Sequence, residues 1–261
     1  LVPGAWCLPL LQTEIYIFIY NNKGRYPMII NRLRQPRTAL RNRTLPHYTR
    51  HEEIANMTTH VVGGVFALTA LVLCTVFAAL HRNVPGVITG AVYGVSMLLV
   101  YTVSAVYHGL SPQKAGRGKR VMQVIDHCDI YGLIVGSFAP VALTGLRHYN
   151  PVLAWTAFGA VLAVSVVGTV FTAIDFNKYG PISYGAYFLA GWSVLSTVHA
   201  LKEVYSKTFL ILLIAGGLTY TFGMVFFLLE MKKHKYCHSV FHVFIVLGSV
   251  IQFIAIFRYC I

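Results

Sequence analysis

The sequence predicts an all-α fold: seven membrane-spanning helices packed as one bundle, with the N-terminus on the cytoplasmic side. Three observations carry that expectation. The composition is too apolar for a water-soluble domain, with 56% hydrophobic residues, 11% charged residues and a mean hydropathy of +0.64. Seven apolar runs lie at roughly 55–80, 87–109, 124–146, 151–174, 181–201, 208–230 and 237–258, each about 20 or more residues, the length a helix needs to cross hydrocarbon. The Lys and Arg residues fall almost wholly between these runs and at their ends, as flanking anchors do.

Taken in order, the chain begins with a stretch that fits no span. Around Ile15 to Tyr20 the apolar residues are few, follow Glu14 and have no basic segment ahead of them, so neither a signal peptide nor a membrane helix is expected. Met28 reads as a start, because a start at Met57 would remove polar residues that matter below. Residues 1–45 therefore read as a basic extension, partly disordered or translated in error, ahead of a membrane domain at 46–261. From Lys23 to Arg50 there are eight basic residues and no acidic one, the pattern of a juxtamembrane basic segment.

The breaks between runs are short and rich in turn residues: Asn83-Val84-Pro85-Gly86, Asn150-Pro151, Tyr179-Gly180-Pro181 and the basic cluster Lys232 to Lys235. Asp175 falls in one such break and reads as a solvated loop residue. Small residues inside the spans (Gly63-Gly64, Gly90 and Gly94, Gly216-Gly217) suit close helix packing. Counting Lys and Arg on alternate sides gives sixteen on the side of the N-terminus and five on the other, or eight against five without the N-terminal segment. By the positive-inside rule the N-terminus is cytoplasmic and the C-terminus extracytoplasmic, in a multi-pass protein of the cell membrane. A net charge of +13 distributed in this way speaks for anchoring in the lipid bilayer and against nucleic acid as a partner. Five cysteines without regular spacing indicate neither a disulfide framework nor a zinc ribbon.

Several polar residues break the apolar pattern. His238 and His242 share one helical face at the start of the seventh run. Run two ends at His108, with Ser104 one turn before it, and run three begins at Asp126-His127. In the expected topology these ends lie on one side of the membrane, so His108, Asp126, His238 and His242 converge at one depth. Ionisable groups inside a span are costly and face the bundle interior with partners, which makes the four a single site. Run one brings Glu52, Glu53, Asn56 and His60 to the same side. Glu52 and Glu53 also suit the first turn of a helix through its dipole, and His60 and His127 also suit the membrane interface. Cys128 and Cys237 flank the site and offer thiolates in place of a histidine, although Cys237 is one residue off the face of the pair. The run His51-Glu52-Glu53 lacks the second histidine of a zinc-protease helix.

Three imidazoles fit zinc, and three protein ligands leave its fourth position open, the catalytic arrangement. Asp126 is placed to handle the proton of a water there and Ser104 to supply a hydrogen bond. With His242 about five residues inside its helix, the metal lies on the order of 7 Å below the interface, where a lipid linkage can reach.

The residues that carry this site also carry a resemblance. The stretch Tyr48-Thr49-Arg50-His51-Glu52-Glu53-Ile54-Ala55-Asn56 with Thr59-His60 is its first part, and Ser104-x-x-Tyr107-His108 its second. Asp126-His127 with Gly136-Ser137-Phe138-Ala139-Pro140 follows, then His238-Ser239-Val240-Phe241-His242-Val243-Phe244. Together, over about residues 46 to 258, they resemble the bacterial hemolysin III branch of the progestin and adipoQ receptor (PAQR) superfamily. The resemblance implies a seven-helix fold with zinc held by residues matching His108, His238 and His242, and an aspartate matching Asp126 beside the metal's water. Relatives in the wider superfamily are associated with ceramide hydrolysis or ligand reception, and the hemolysin III branch with a lytic, pore-like activity. Three readings stand at this point: a zinc-dependent hydrolase of a lipid amide or ester, a channel or cytolysin, and a receptor with structural zinc. The sequence leaves the substrate and the oligomeric state open.

Overall fold

The computed structural model describes residues 33–230 and 234–261; the expectations for residues 1–27 and for Met28 lie outside them. Among the described residues every regular element is helical. Helix α1 spans Arg50–Leu80, α2 Val84–Gly109, α3 Pro112–Val141, α4 Pro151–Trp192, α5 Val198–Val204, α6 Lys207–Glu230 and α7 Cys237–Tyr259. Six helical stretches are long and apolar enough to cross a membrane, α4 and α5 counting as one stretch, Pro151–Val204.

Local chemistry sets the helix ends. Thr49 and Glu52 form a reciprocal cap on α1: Glu52 N donates to Thr49 Oγ1 (3.3 Å), and Thr49 N donates to Glu52 Oε2 (2.9 Å). At the far end of α1 the chain turns through Arg82, whose φ of 53° is left-handed, into Asn83, whose Oδ1 accepts from Gly86 N at 2.9 Å. Helix α3 starts at Pro112, ahead of the 124 expected for the third span, so the stretch 112–123 is not a loop. Its basic residues ride on the helix, and Lys119 is buried at 1% exposure because a carboxylate waits for it. Past Pro140, which has no N–H to give, the ladder widens into a π turn over Ala142–Leu146.

Helix α4 reverses direction. Asp175 takes an extended backbone (φ −168°, ψ 93°), and Thr172 Oγ1 donates to Ser183 Oγ at 2.8 Å, whereas eleven residues of straight helix would separate them by about 16 Å. Asp175 is not the solvated loop residue the sequence suggested. It is fully buried; Oδ1 accepts from Asn177 N (3.1 Å) and Lys178 N (3.3 Å), and Oδ2 accepts from Thr38 N (2.6 Å). A carboxylate at the start of a helical arm satisfies that arm's free N–H groups, so burial here is compensated. The segment before α1 thus docks on this turn, with Arg43 donating to the carbonyls of Ala173 and Ile174.

Packing follows the membrane pattern. The outward face of α1 presents Val61, Val65, Leu68, Val72 and Val76, all exposed, as lipid-facing residues are. Its inner face carries Gly63, Ala67, Ala70, Cys74 and Ala78. Small residues let the backbones of α1 and α2 approach closely: a methyl group on Gly94 would stand 2.6 Å from Leu71 Cα. Helix α7 lies against both α1 and α6, which brings the first and last helices together at the end where the polar residues collect.

Candidate metal centre

Two helix termini supply the centre's histidines. The last turn of α2 delivers His108, and the first turns of α7 deliver His238 and His242, one turn apart. One ring nitrogen from each lies within 4.8 Å of the other two, and all three residues are buried. The rings face one another, with centroids separated by 5.2 Å (His108 and His238), 5.1 Å (His108 and His242) and 4.4 Å (His238 and His242).

The oxygens around these rings fix which nitrogen points inward. His108 Nδ1 lies 2.7 Å from Glu53 Oε2, His238 Nδ1 2.6 Å from Glu230 Oε2, and His242 Nδ1 3.3 Å from the carbonyl oxygen of Asn56. A carboxylate and a carbonyl only accept, so each Nδ1 carries its proton and each Nε2 keeps its lone pair. Nε2 of His108 and of His238 is buried without any partner in the protein. Buried polar atoms rarely stay unpaired, and imidazoles oriented by oxygen acceptors at the other nitrogen are the usual supports of a metal ion. Charge favours a cation as well: Glu53 is paired with Lys119, whose Nζ donates to Glu53 Oε1 at 2.5 Å, while the carboxyl of Glu230 faces His238 and the Tyr48 hydroxyl. The cluster is able to hold a metal ion.

Of the other residues singled out from the sequence, Asn56 binds both sides of the site: its carbonyl accepts from His242, and its Oδ1 accepts from Ser239 Oγ at 2.5 Å. Glu52 and Glu53 separate. Glu52 caps α1 and also accepts from Tyr236 N at 3.0 Å, pinning the entry to α7, while Glu53 reaches His108. His60 lies against His242, the rings tilted at 39° with centroids 3.7 Å apart, and stays outside the set of three. Asp126 and Ser104 line the same cavity as His238 and His242, and the Ser104 hydroxyl lies close to the Asp126 carboxyl without closing a hydrogen bond to it. His127 Nδ1 donates to the Gln123 carbonyl (2.8 Å) and stands 3.7 Å from Asp126 Oδ2. Neither thiol joins the set: Cys128 Sγ turns to the Thr169 carbonyl, and Cys237 is left off the inner face of α7.

Sequence reasoning missed Glu230, Lys119 and the role of Tyr48. The Tyr48 hydroxyl donates to Glu230 Oε1, and its ring lies 5.2 Å from His238 and 5.6 Å from His108. Burial and the neighbouring carboxylate hold the Tyr48 hydroxyl well above its usual pKa, so it remains a donor. The signal for Glu230 was a lone carboxylate ending a span at the level of the histidines.

A cavity of about 220 Å³ opens from His238 and His242 into the bundle, walled largely by apolar side chains such as Phe138, Leu213 and Trp192. A second space, lined by Tyr48, Arg50, Glu53, His108 and Arg120, lies on the other side of His108, under the segment that precedes α1.

Fold and site together define a class: a multi-pass helical membrane protein that buries a three-histidine, metal-competent cluster where its helix ends meet. Comparison with known proteins makes that class specific. The family model described as "Haemolysin-III related" matches residues 48–253, and the chain belongs to the hemolysin III family of the PAQR superfamily. It is 32% identical to Hemolysin-3 of Bacillus cereus over 208 residues, 80% of this chain and 91% of that protein. It is 31% identical to the Hemolysin-3 homolog of Bacillus subtilis, covering 82% of this chain and 97% of that protein. Monocyte to macrophage differentiation factor of Homo sapiens is similar at 25% identity, over 81% of this chain and 85% of that protein.

Proposed function

We propose that this protein is an integral membrane zinc hydrolase that cleaves an amide or ester bond of a lipid. The observation that carries the reading is that two of the three clustered histidines, His238 and His242, line an apolar cavity whose wall also holds Asp126 and Ser104. A purely structural metal needs four closed ligands and no cavity beside it.

His108, His238 and His242 would hold the ion through Nε2, with Glu53, Glu230 and Asn56 fixing the three rings at Nδ1. When bound, zinc supplies Lewis-acid chemistry, polarising a carbonyl and acidifying water. Asp126 takes the proton of the attacking water and returns it to the departing amine or alcohol, the two halves of general base and acid catalysis. Ser104, whose hydroxyl has no partner in the protein, supplies a hydrogen bond to the site. The apolar wall receives the acyl chain and keeps bulk water away from the reacting carbonyl. The names of the relatives point elsewhere, to a hemolysin and, in the Drosophila melanogaster adiponectin receptor protein, to a receptor. Asp126 and Ser104 favour the hydrolase, because neither a pore nor a structural metal needs a proton acceptor outside the ligand set.

The sidedness belongs to the same reading: seven spans, cytoplasmic N-terminus, extracytoplasmic C-terminus, in the cell membrane. The reversal at Asp175 supports it by dividing the stretch 151–204 into two arms of membrane-spanning length. A cytoplasm-active reporter placed between Glu230 and Cys237 is expected to work and one fused after Ile261 to be silent; the reverse pattern overturns the sidedness.

Purification in mild detergent, metal analysis and incubation with a panel of amide and ester lipids test the function. About one zinc per chain is expected, with release of fatty acid that stops on chelation. Full zinc occupancy with every lipid intact gives the site to a structural or receptor role.

A further inference from the structure

The clustered histidines stand between two spaces of opposite character. His238 and His242 line the apolar cavity of the bundle, and His108 lines the other, a space of about 740 Å³ beneath the segment that precedes α1. The Nε2 atoms of His108 and His238 are nevertheless buried from both. An ion therefore reaches them, or leaves them, only when some element moves aside. The helices are poor candidates for that motion. Helix α2 packs along α1 and α3, and α7 along α1 and α6, so shifting either one disturbs membrane packing over many turns.

The lighter element is the chain at 44–48. It has no regular structure; Thr44, Pro46 and His47 are exposed, and Leu45 and Tyr48 are half-buried. Firm anchors bracket it, with Arg43 bonded to the carbonyls of Ala173 and Ile174 on one side and the Thr49 cap of α1 on the other. Between them, among the described residues, residues 44–48 make one hydrogen bond, from the Tyr48 hydroxyl to Glu230 Oε1. Exposed irregular backbone with so few partners opens at low cost. What the segment carries inward is the Tyr48 ring, 5.2 Å from the His238 ring and 5.6 Å from that of His108, on the wall of the polar space.

We propose that Tyr48 is the gate of the metal centre: the ion enters and leaves through the polar space, and passes when the Tyr48 hydroxyl lets go of Glu230 and the ring swings off His108 and His238. The inference rests on the metal-binding part of the reading above and not on hydrolysis. The apolar cavity is a poor route, because a divalent ion stripped of its water finds few partners among side chains such as Phe138, Leu213 and Trp192. The space under Tyr48 offers Glu53, whose Oε2 already lies at His108 Nδ1. Arg50 and Arg120 on the same wall repel a bare cation, so the passenger this space favours is zinc in an anionic chelate, given up at the cluster by exchange of ligands. The latch uses Oε1 of Glu230 while His238 uses Oε2, so opening costs the same with and without the ion. A gate of that kind alters uptake and release by one factor and leaves affinity alone, whereas a residue that supports the ligands alters affinity.

The test follows zinc exchange in the full chain in detergent: release into excess tetracarboxylate chelator, uptake by the stripped protein from zinc citrate, and Kd from equilibrium competition. Tyr48→Phe keeps the ring and removes the latch. Both rates are expected to rise roughly 10- to 100-fold, the range of a hydrogen bond to a charged group, with Kd unchanged. Should the Phe protein fail to fold, Tyr48→Leu makes the same comparison with the ring removed as well. Unchanged rates in a folded variant overturn the gate. Faster release with uptake unchanged, and so a weaker Kd, assigns Tyr48 to support of His238 through Glu230 and overturns it too. A wild-type chain that takes up no zinc removes the metal reading and the inference together. One that exchanges zinc past Tyr48 yet cleaves no lipid removes the hydrolase and leaves the gate standing.

Discussion

The two ends of the bundle treat their polar residues differently. At the end away from the histidines, buried polar side chains are spent on closing helix termini. Tyr205 OH donates to the Val141 carbonyl (3.1 Å) and accepts from Gly145 N (3.2 Å) across the π turn, and Asn83 Nδ2 ties the start of α2 to the carbonyls of Cys260 and Ile261 (3.3 and 3.2 Å). At the histidine end, the unpartnered buried atoms of His60, His108, His238 and Ser104 collect in one place; elsewhere among the described residues only Arg43, Asp129 and Ser165 have one. Buried polar residues stand at both ends, so burial alone does not mark function. One end is complete without a ligand and the other is not.

That contrast is most directly broken by removing the ligands. Replacing both His238 and His242 by Ala leaves one imidazole where three stood and is expected to take zinc from about one per chain to near zero, read by metal analysis of the purified protein. Full occupancy in the double variant moves the metal elsewhere. Next in size, Asp126→Asn is expected to keep zinc and lose lipid turnover by roughly 100-fold or more, the yield of a general base; wild-type turnover on a confirmed substrate removes Asp126 from that role. Glu230→Ala removes the acceptor that orients His238, and a fall in zinc affinity of about 10- to 100-fold in a chelator competition is expected, with the fold retained. The smallest effect belongs to the complete end. Tyr205→Phe loses hydrogen bonds at the π turn and is expected to cost about 1–2 kcal/mol of stability, visible as a lower melting temperature, while zinc affinity stays at the wild-type value. A drop in zinc affinity in that variant would show that the two ends are not independent.

The sequence held the helices because lipid forces apolar length onto every span, and it held His108, His238 and His242 because a histidine inside a span is too costly to stand there without a partner. What it hid came from pairing between helices. Lys119 looks like one of a loop's basic residues, and only its carboxylate partner on α1 makes it a buried helix residue; that is why α3 starts earlier than its apolar run does. Asp175 looks like a turn residue, and its burial depends on Thr38, 137 residues away. Glu230 looks like any charge at the end of a span, since the histidine it orients sits beyond a turn on another helix. Spacing within a helix is legible from a single chain, whereas a contact between helices leaves no periodic trace.

The clasp between Tyr48 and Glu230 joins residues 182 positions apart, and His238 and His242 come later still. At ribosomal rates of roughly 5–20 residues per second, the first helices wait on the order of ten seconds or more for the last. During that interval Glu53, Lys119 and His108 sit at the membrane edge with their histidine partners on α7 still unmade. The three-histidine cluster is therefore complete only after α7 has been made, and a metal held by all three imidazoles would have to enter after that. A chain halted after Glu230 carries both carboxylates and only one of the three imidazoles.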